Sequence, residues 1–191
     1  MLKPFRLLIA GFVLFFAATT ALAQSGGILV VDMQKVYADS KVGKYVSGQV
    51  KSLASTDEAT LKSRASSLES TAKSLEAQTK GLDANALKAN TTLVSQIQDL
   101  YKRQGQLAQE AQKKQAELAL TRNKALGNIN TQVKSILEQI ATERRATAVL
   151  ESGSVLFMPN GSNADITSLV VQRLDQRMTT TSVARQSLPT R

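Results

Sequence analysis

The chain has no cysteine, no histidine and no tryptophan in its 191 residues. Without cysteine there is no disulfide to staple the fold and no thiolate to bind a metal. Without histidine there is no imidazole ligand and no Ser-His nucleophile pair. Aromatic residues are scarce too. Phe5, Phe12, Phe15 and Phe16 all lie close to the N-terminus, which leaves Phe157 and three Tyr for the rest of the chain. An ordinary globular core draws more of its apolar surface from aromatics. Proline is missing from residue 34 to residue 145, so over that span nothing forces a helix to stop.

What is present begins with an export signal. Lys3 and Arg6 form a short basic region, Leu7 to Phe16 is apolar with one Gly, and Ala21-Leu22-Ala23 supplies the small residues that a signal peptidase reads. The pattern predicts a signal peptide over residues 1–23, cleaved before Gln24. The apolar run is too short to span a bilayer comfortably, and no Cys follows the cleavage site to carry a lipid. The mature protein is therefore expected in the periplasm, soluble. The formal charge is +9, and it stays clearly positive once Lys3 and Arg6 leave with the signal. A basic balance points to acidic partners: anionic lipid or lipopolysaccharide, acidic polypeptides, or nucleic acid. Export makes nucleic acid an unexpected partner.

The mature chain divides by composition. "ILVVDM" (28 to 33) reads as a strand. From about residue 34 to 145 the good helix formers Ala, Gln, Lys, Leu and Glu prevail, together with Ser. "ATAVLESGSVLFMPNG" (146 to 161) returns to β-type residues, with Ser152-Gly153 as a hairpin signal and Pro159-Asn160-Gly161 as a stop. Asp165 then suits the cap of a last helix whose apolar face is Ile166, Leu169, Val170 and Leu174. The Thr/Ser-rich residues 179–191 carry no pattern and read as a disordered tail.

The central span is heptad-like. Its first half steps through Val50, Ala54, Asp57, Leu61, Ala65, Leu68, Ala72, Leu75, Thr79 and Leu82. Its second half runs Leu93, Ile97, Leu100, Gln104, Leu107, Ala111, Lys114, Leu118, Thr121, Ala125, Ile129, Val133, Ile136 and Ile140. Steps of three and four alternate until a run of fours around Ala125 to Val133, a stutter that locally unwinds a left-handed supercoil. Between the halves, Gly81 suits a helix end and Asp83 a new cap. Two antiparallel helices with a tip near residues 81–86 are the simplest reading, the second running from about 84 to 144; one helix passing through the Gly is the alternative. With Asp57, Thr79, Gln104, Lys114 and Thr121 in the seam, the arm is expected to be thin and flexible, softening from body to tip.

The domain plan is thus a β-rich body from residues 24–47 and 146–178, and a helical-hairpin arm over 48–145. So small a body, with no disulfide or metal, is marginal alone and implies oligomerisation. Ile28 to Met33 is expected to pair with Val155 to Met158, so Ile28, Val30, Val155, Leu156 and Phe157 are the candidate assembly residues. Asp32, at the junction of strand and helix, reads as an N-cap, because no second acid, base or metal ligand accompanies it. On the arm, Lys102-Arg103 and Lys113-Lys114 are candidate contacts for clients or anionic surfaces. A run of cations is usually just a solvated face.

Two stretches, "ILVVDMQKVYADSKVGK" (28 to 44) and "AVLESGSVLFMPNGSNADITSLVVQRL" (148 to 174), together with the Ala/Gln/Lys-rich region between them, resemble the Skp (OmpH-like) family of periplasmic chaperones. The resemblance extends to about Met178, and the tail beyond it and the low charge density of the arm depart from the family. It implies an α+β fold, with a small β-rich oligomerisation body and a long antiparallel helical-hairpin coiled-coil arm, assembled as a jellyfish-like homotrimer. It also implies an ATP-independent holdase that keeps unfolded outer-membrane proteins from aggregating after Sec translocation, with no cofactor and no enzymatic activity. The lipopolysaccharide site proposed for some members finds no residue-by-residue match. A structural periplasmic coiled-coil spacer or adaptor without holdase activity is the alternative function.

Overall fold

The computed structural model describes residues 27–189, and the expected signal peptide lies outside them. The fold is α+β and mostly helical. Strand β1 (Ile28–Val31) leads into the short helix α1 (Met33–Asp39) and the long α2 (Lys41–Thr79). A short α3 (Ala84–Ala89) precedes the longest helix, α4 (Thr91–Glu143). Strand β2 (Ala148–Glu151), a 3-10 turn (Ser152–Ser154) and helix α5 (Thr167–Arg177) follow.

Each helix start has a local cause. Asp32 caps α1 by accepting a 2.9 Å bond from the Lys35 backbone N–H. The buried Ser40 hydroxyl accepts from Gly43 N–H (3.2 Å) at the start of α2, and Asp175 of α5 accepts from Lys41 N–H at 2.7 Å. No side chain fits at Gly43, where a Cβ would sit 1.8 Å from the Tyr37 carbonyl oxygen. At the tip, Gly81 adopts φ 88°, which glycine alone reaches without strain. Asp83 then caps α3, and Asn90 caps α4 through Leu93 N–H at 3.0 Å. The second long helix therefore begins at residue 91, not at 84. The Asn90 cap interrupts it, and the expected restart at Asp83 yields only the six residues of α3. Helix α4 ends in a Schellman motif. Arg145 N–H bonds to Thr142 O, Ala146 N–H bonds to Ala141 O, and Arg145 itself is left-handed at φ 51°.

That tight end decides the sheet. It delivers Thr147 N–H to Gly27 O (3.1 Å) and sets β2 parallel to β1, with Ile28 opposite Ala148 and Val31 opposite Glu151. The strand that pairs with β1 is thus Ala148–Glu151, not Val155 to Met158. The expected hairpin at Ser152-Gly153 is a 3-10 turn, after which Leu156 and Phe157 stand in solvent. The other edge of β1 is held by the segment before α5: Val30 N–H donates to Ala164 O (2.8 Å) and Ile166 N–H to Val30 O (2.9 Å). Thr167 Oγ1 accepts from Asp32 N–H, and Asp165 Oδ1 from Thr167 N–H, both at 2.9 Å. "DIT" thereby ties the start of α5 to the end of β1. The bonds to Thr167 hold the Asp165 carboxyl below the usual aspartate range.

The arm is the α2–α4 hairpin. At 53 residues, α4 is about 80 Å long. Two separate apolar clusters hold the hairpin. The basal one joins Val42, Val46, Ile129, Ile136, Val170 and Leu174 with Leu29 and Val31. The distal one joins Leu75, Leu93 and Leu100, with Leu68, Ala72, Leu87 and Ile97 against it. Apolar packing along the arm is thus not graded from body to tip: a packed base and a packed tip flank a gap.

Residues 179–189 form no helix or strand, yet they are not the free tail that their composition suggests. Thr181 Oγ1 accepts from Asn128 Nδ2 (3.3 Å), and Val183 packs on the basal cluster. Gln186 N–H donates to Thr121 Oγ1 (2.9 Å), and Arg185 grips Asp57. The chain folds back along α4 because the arm offers it specific polar partners.

Candidate functional site

Alanine takes several positions along the facing sides of the helices in the middle of the arm. Ala54, Ala65 and Ala72 on α2 face Ala108 and Ala111 on α4. Paired helices stand about 8–10 Å apart, and methyl groups do not fill that spacing. An open groove of about 1190 Å³ results, walled also by Leu61, Leu68, Leu107 and Leu118. Gln104 and Lys114, both expected in the seam, line it.

The body-side end of the groove is polar and closely bonded. Asp57 is only 8% exposed. Both its oxygens accept from Arg185, Oδ2 at 2.8 Å and Oδ1 at 3.0 Å, and Lys114 Nζ lies 3.7 Å from Oδ1. A carboxylate so buried needs a charge partner, and here two cations supply it. One helical turn from the groove, the buried Thr121 hydroxyl donates to Glu117 O (2.7 Å) while accepting from Gln186 N–H. Arg64 and Glu110 bridge the two helices in an ion pair farther out.

The four candidate cations share the arm but form no free positive patch. Arg103 pairs with Asp99 at 2.7 Å, and Lys113 with the buried Glu117 at 3.9 Å. Lys114 is committed to Asp57. Lys102 is exposed and has no ion pair among the described residues. The spacing of eleven residues puts Arg103 and Lys114 on one face of α4, about 16 Å apart. That face borders the groove and its outer neighbour, which Arg103 lines. Glu117 escaped the sequence reading. Its signal was its place, four residues after Lys113 and four before Thr121.

Of the candidate assembly residues, Val30 is buried in the basal region and Val155 is half-buried. Ile28 is half exposed, Phe157 is 80% exposed and Leu156 is fully exposed. The structure brings Ile28 and Val30 together on β1 but leaves Val155, Leu156 and Phe157 off the sheet. Among the described residues, no group of three or more acidic, histidine or cysteine side chains is placed to hold a metal. No helix among them is long and apolar enough to cross a membrane. What the site offers is an apolar trough with ionic rims, suited to many weak contacts with an extended chain.

Comparison with known proteins fits this architecture. No curated protein matches significantly. Among solved structures, the fold matches a protein of Caulobacter crescentus proposed to be an OmpH-like outer membrane chaperone. The TM-score is 0.71 and the identity 24%, over 85% of this chain and 92% of the other. The sequence profile of the outer membrane protein (OmpH-like) family matches residues 27–174, from the start of β1 to the last buried turn of α5. The chain belongs to the OmpH-like family.

Proposed function

We propose that the protein is an ATP-independent periplasmic holdase, which binds unfolded outer-membrane proteins after their translocation and keeps them from aggregating. The mid-arm groove carries this reading. It exposes Leu61, Leu68, Leu107 and Leu118 among alanines on an arm about 80 Å long. Apolar segments of an unfolded chain gain burial there without needing one fixed sequence. Such a surface is weak at each contact and strong in sum, which lets a client leave without ATP. Lys102, Arg103, Lys113 and Lys114 would add electrostatic attraction for acidic clients and for anionic lipid or lipopolysaccharide.

The working form in this reading is a homotrimer. Leu156 and Phe157 stand exposed on the chain segment that follows β2, and β2 itself pairs with β1 alone among the described residues. Unpaired strand edges and exposed apolar side chains mark surfaces that another chain covers. Ile28, Val30, Val155, Leu156 and Phe157 would lie in or beside that contact, and three arms would then enclose one cavity.

The test is to dilute a urea-denatured outer-membrane β-barrel protein into buffer containing the purified mature chain, without nucleotide. A holdase suppresses light scattering at near-stoichiometric trimer. Scattering equal to that of a serum-albumin control would make the protein a passive periplasmic spacer.

A further inference from the structure

Arg185, Gln186 and Val183 sit on the arm as a bound peptide would. The Arg185 guanidinium forms a two-pronged bond to Asp57 of α2. The next residue gives its backbone N–H to Thr121 of α4. Val183 packs on the basal apolar cluster, and Thr181 is held by Asn128. The family match ends at residue 174, so this segment lies outside the part of the chain that the family defines. Its receptor elements are built into the helices. Asp57 is nearly buried and Thr121 fully so, each in a seam position where an apolar residue would pack better.

We infer that the base of the arm carries a seat for an extended peptide that reads arginine, and that residues 179–189 fill it from within the same chain. Asp57 supplies the selectivity. A planar guanidinium engages both carboxylate oxygens at once, which lysine cannot do. Thr121 reads backbone, so it accepts any residue with an N–H. The seat adjoins the mid-arm groove, since Asp57 lines both. An extended client segment that carries an arginine beside aliphatic residues therefore competes with the strap. The strap has the advantage of being tethered, so only clients that also occupy the groove displace it. Lys114 remains beside Asp57 when the strap leaves and keeps the carboxylate paired. The competition step rests on the holdase reading; the seat itself does not.

The experiment uses the full mature chain. In the wild type, the Gln186 amide should exchange with solvent at least tenfold more slowly than an unstructured amide, and Arg185→Ala should abolish that protection. Free-chain exchange at Gln186 in the wild type, or equal protection in Arg185→Ala, would overturn the proposal. A synthetic peptide of residues 179–191 is then titrated to millimolar concentration into the Arg185→Ala protein. Methyl resonances of Ala54 and Leu118 should shift, and a peptide with Ala at position 185 should bind at least tenfold more weakly. Equal binding of the two peptides, or no shift with either, would also overturn it. Finally, a denatured outer-membrane β-barrel protein is added to the wild type. Loss of Gln186 protection supports competition. A client held with Gln186 still protected removes competition and leaves the seat. Failure to hold any client counts against the holdase reading alone.

Discussion

Replacing Gly43 by alanine should cost the protein about 1–3 kcal/mol, although alanine is the better helix former. The new Cβ would lie 1.8 Å from Tyr37 O, 2.7 Å from Tyr37 C and 2.9 Å from Ser40 Oγ. Two of these atoms are backbone and cannot rotate away. Relief requires α1 and α2 to part by more than an ångström, in a region where Val36, Val42 and Ser40 are fully buried. Overpacking of this kind costs about 1–3 kcal/mol. Displacing Ser40 also weakens its cap on Gly43 N–H, worth about 1 kcal/mol. The gain in helix propensity, about 1 kcal/mol, offsets only part of this. Gly48 is the internal control. It lies one and a half turns later in the same helix with nothing near its Cβ position, so Gly48→Ala should stabilise by up to about 1 kcal/mol. Urea unfolding followed by circular dichroism, at one fixed protein concentration because assembly shifts the midpoint, separates the two. A Gly43→Ala protein as stable as Gly48→Ala would refute the packing at the α1–α2 corner.

Arg145 holds a left-handed conformation where helices usually end in glycine, so Arg145→Gly should raise stability by about 1 kcal/mol, read as a higher urea midpoint. Asp165 titrates below the usual aspartate range in the folded state, so the stability it contributes is complete above pH about 4 and is lost as pH falls through the depressed value. Asp165→Asn keeps an acceptor for Thr167 N–H, and it should flatten the acid limb of the stability curve; an unchanged acid limb would reject the assignment. Leu156→Asp should lower the association state in sedimentation while leaving the helical signal intact, because Leu156 touches solvent in the single chain; Val30→Asp should unfold it, because Val30 is buried. Along the arm, hydrogen exchange should be fastest near Leu61–Leu68 and Leu107–Leu118 and slower at Leu93–Leu100, the reverse order at the tip being the result that would dismiss the distal cluster.

Much of this was legible in advance wherever the cause is local. Asp32, Asp83 and Gly81 declare a cap, a restart and a turn through their own chemistry, and the heptad steps name Ile129, Ile136 and Ile140 as seam residues before any packing is known. The mistakes share a different origin. Ala148–Glu151 and Val155–Met158 are equally β-like in composition. The choice between them is made by the Schellman turn at Arg145, which sets Thr147 beside Gly27. A non-glycine residue in that turn leaves no mark in the sequence. The docking of residues 179–189 depends on Arg185 meeting an acid 128 positions away. One clue did exist, since an aspartate at a seam position requires a cation. Glu117 and Thr121 are polar by type and buried by geometry, and at Thr121 the returning chain supplies a partner through Gln186 N–H.

The position of the stutter ties these features together. A run of fours carries the apolar stripe of α4 across about 120° of its surface from Thr121 through Ala125 and Ile129 to Val133, where a strict heptad would keep it to one narrow seam. A stripe that broad suits a helix with several neighbours. Here α4 touches α2 and α5 and carries residues 179–189, so Ala125, Ile129 and Ile136 are wholly buried. Beyond Thr121 the heptad resumes, α2 is the only long partner among the described residues, and alanine and polar residues open the groove. The change from packed base to open groove thus falls within one turn of Asp57 and Thr121, and Arg185 and Gln186 bind at that boundary. A strap placed there braces the two helices where their basal packing ends. Its removal would free the groove at its inner end while leaving the basal and distal clusters in place.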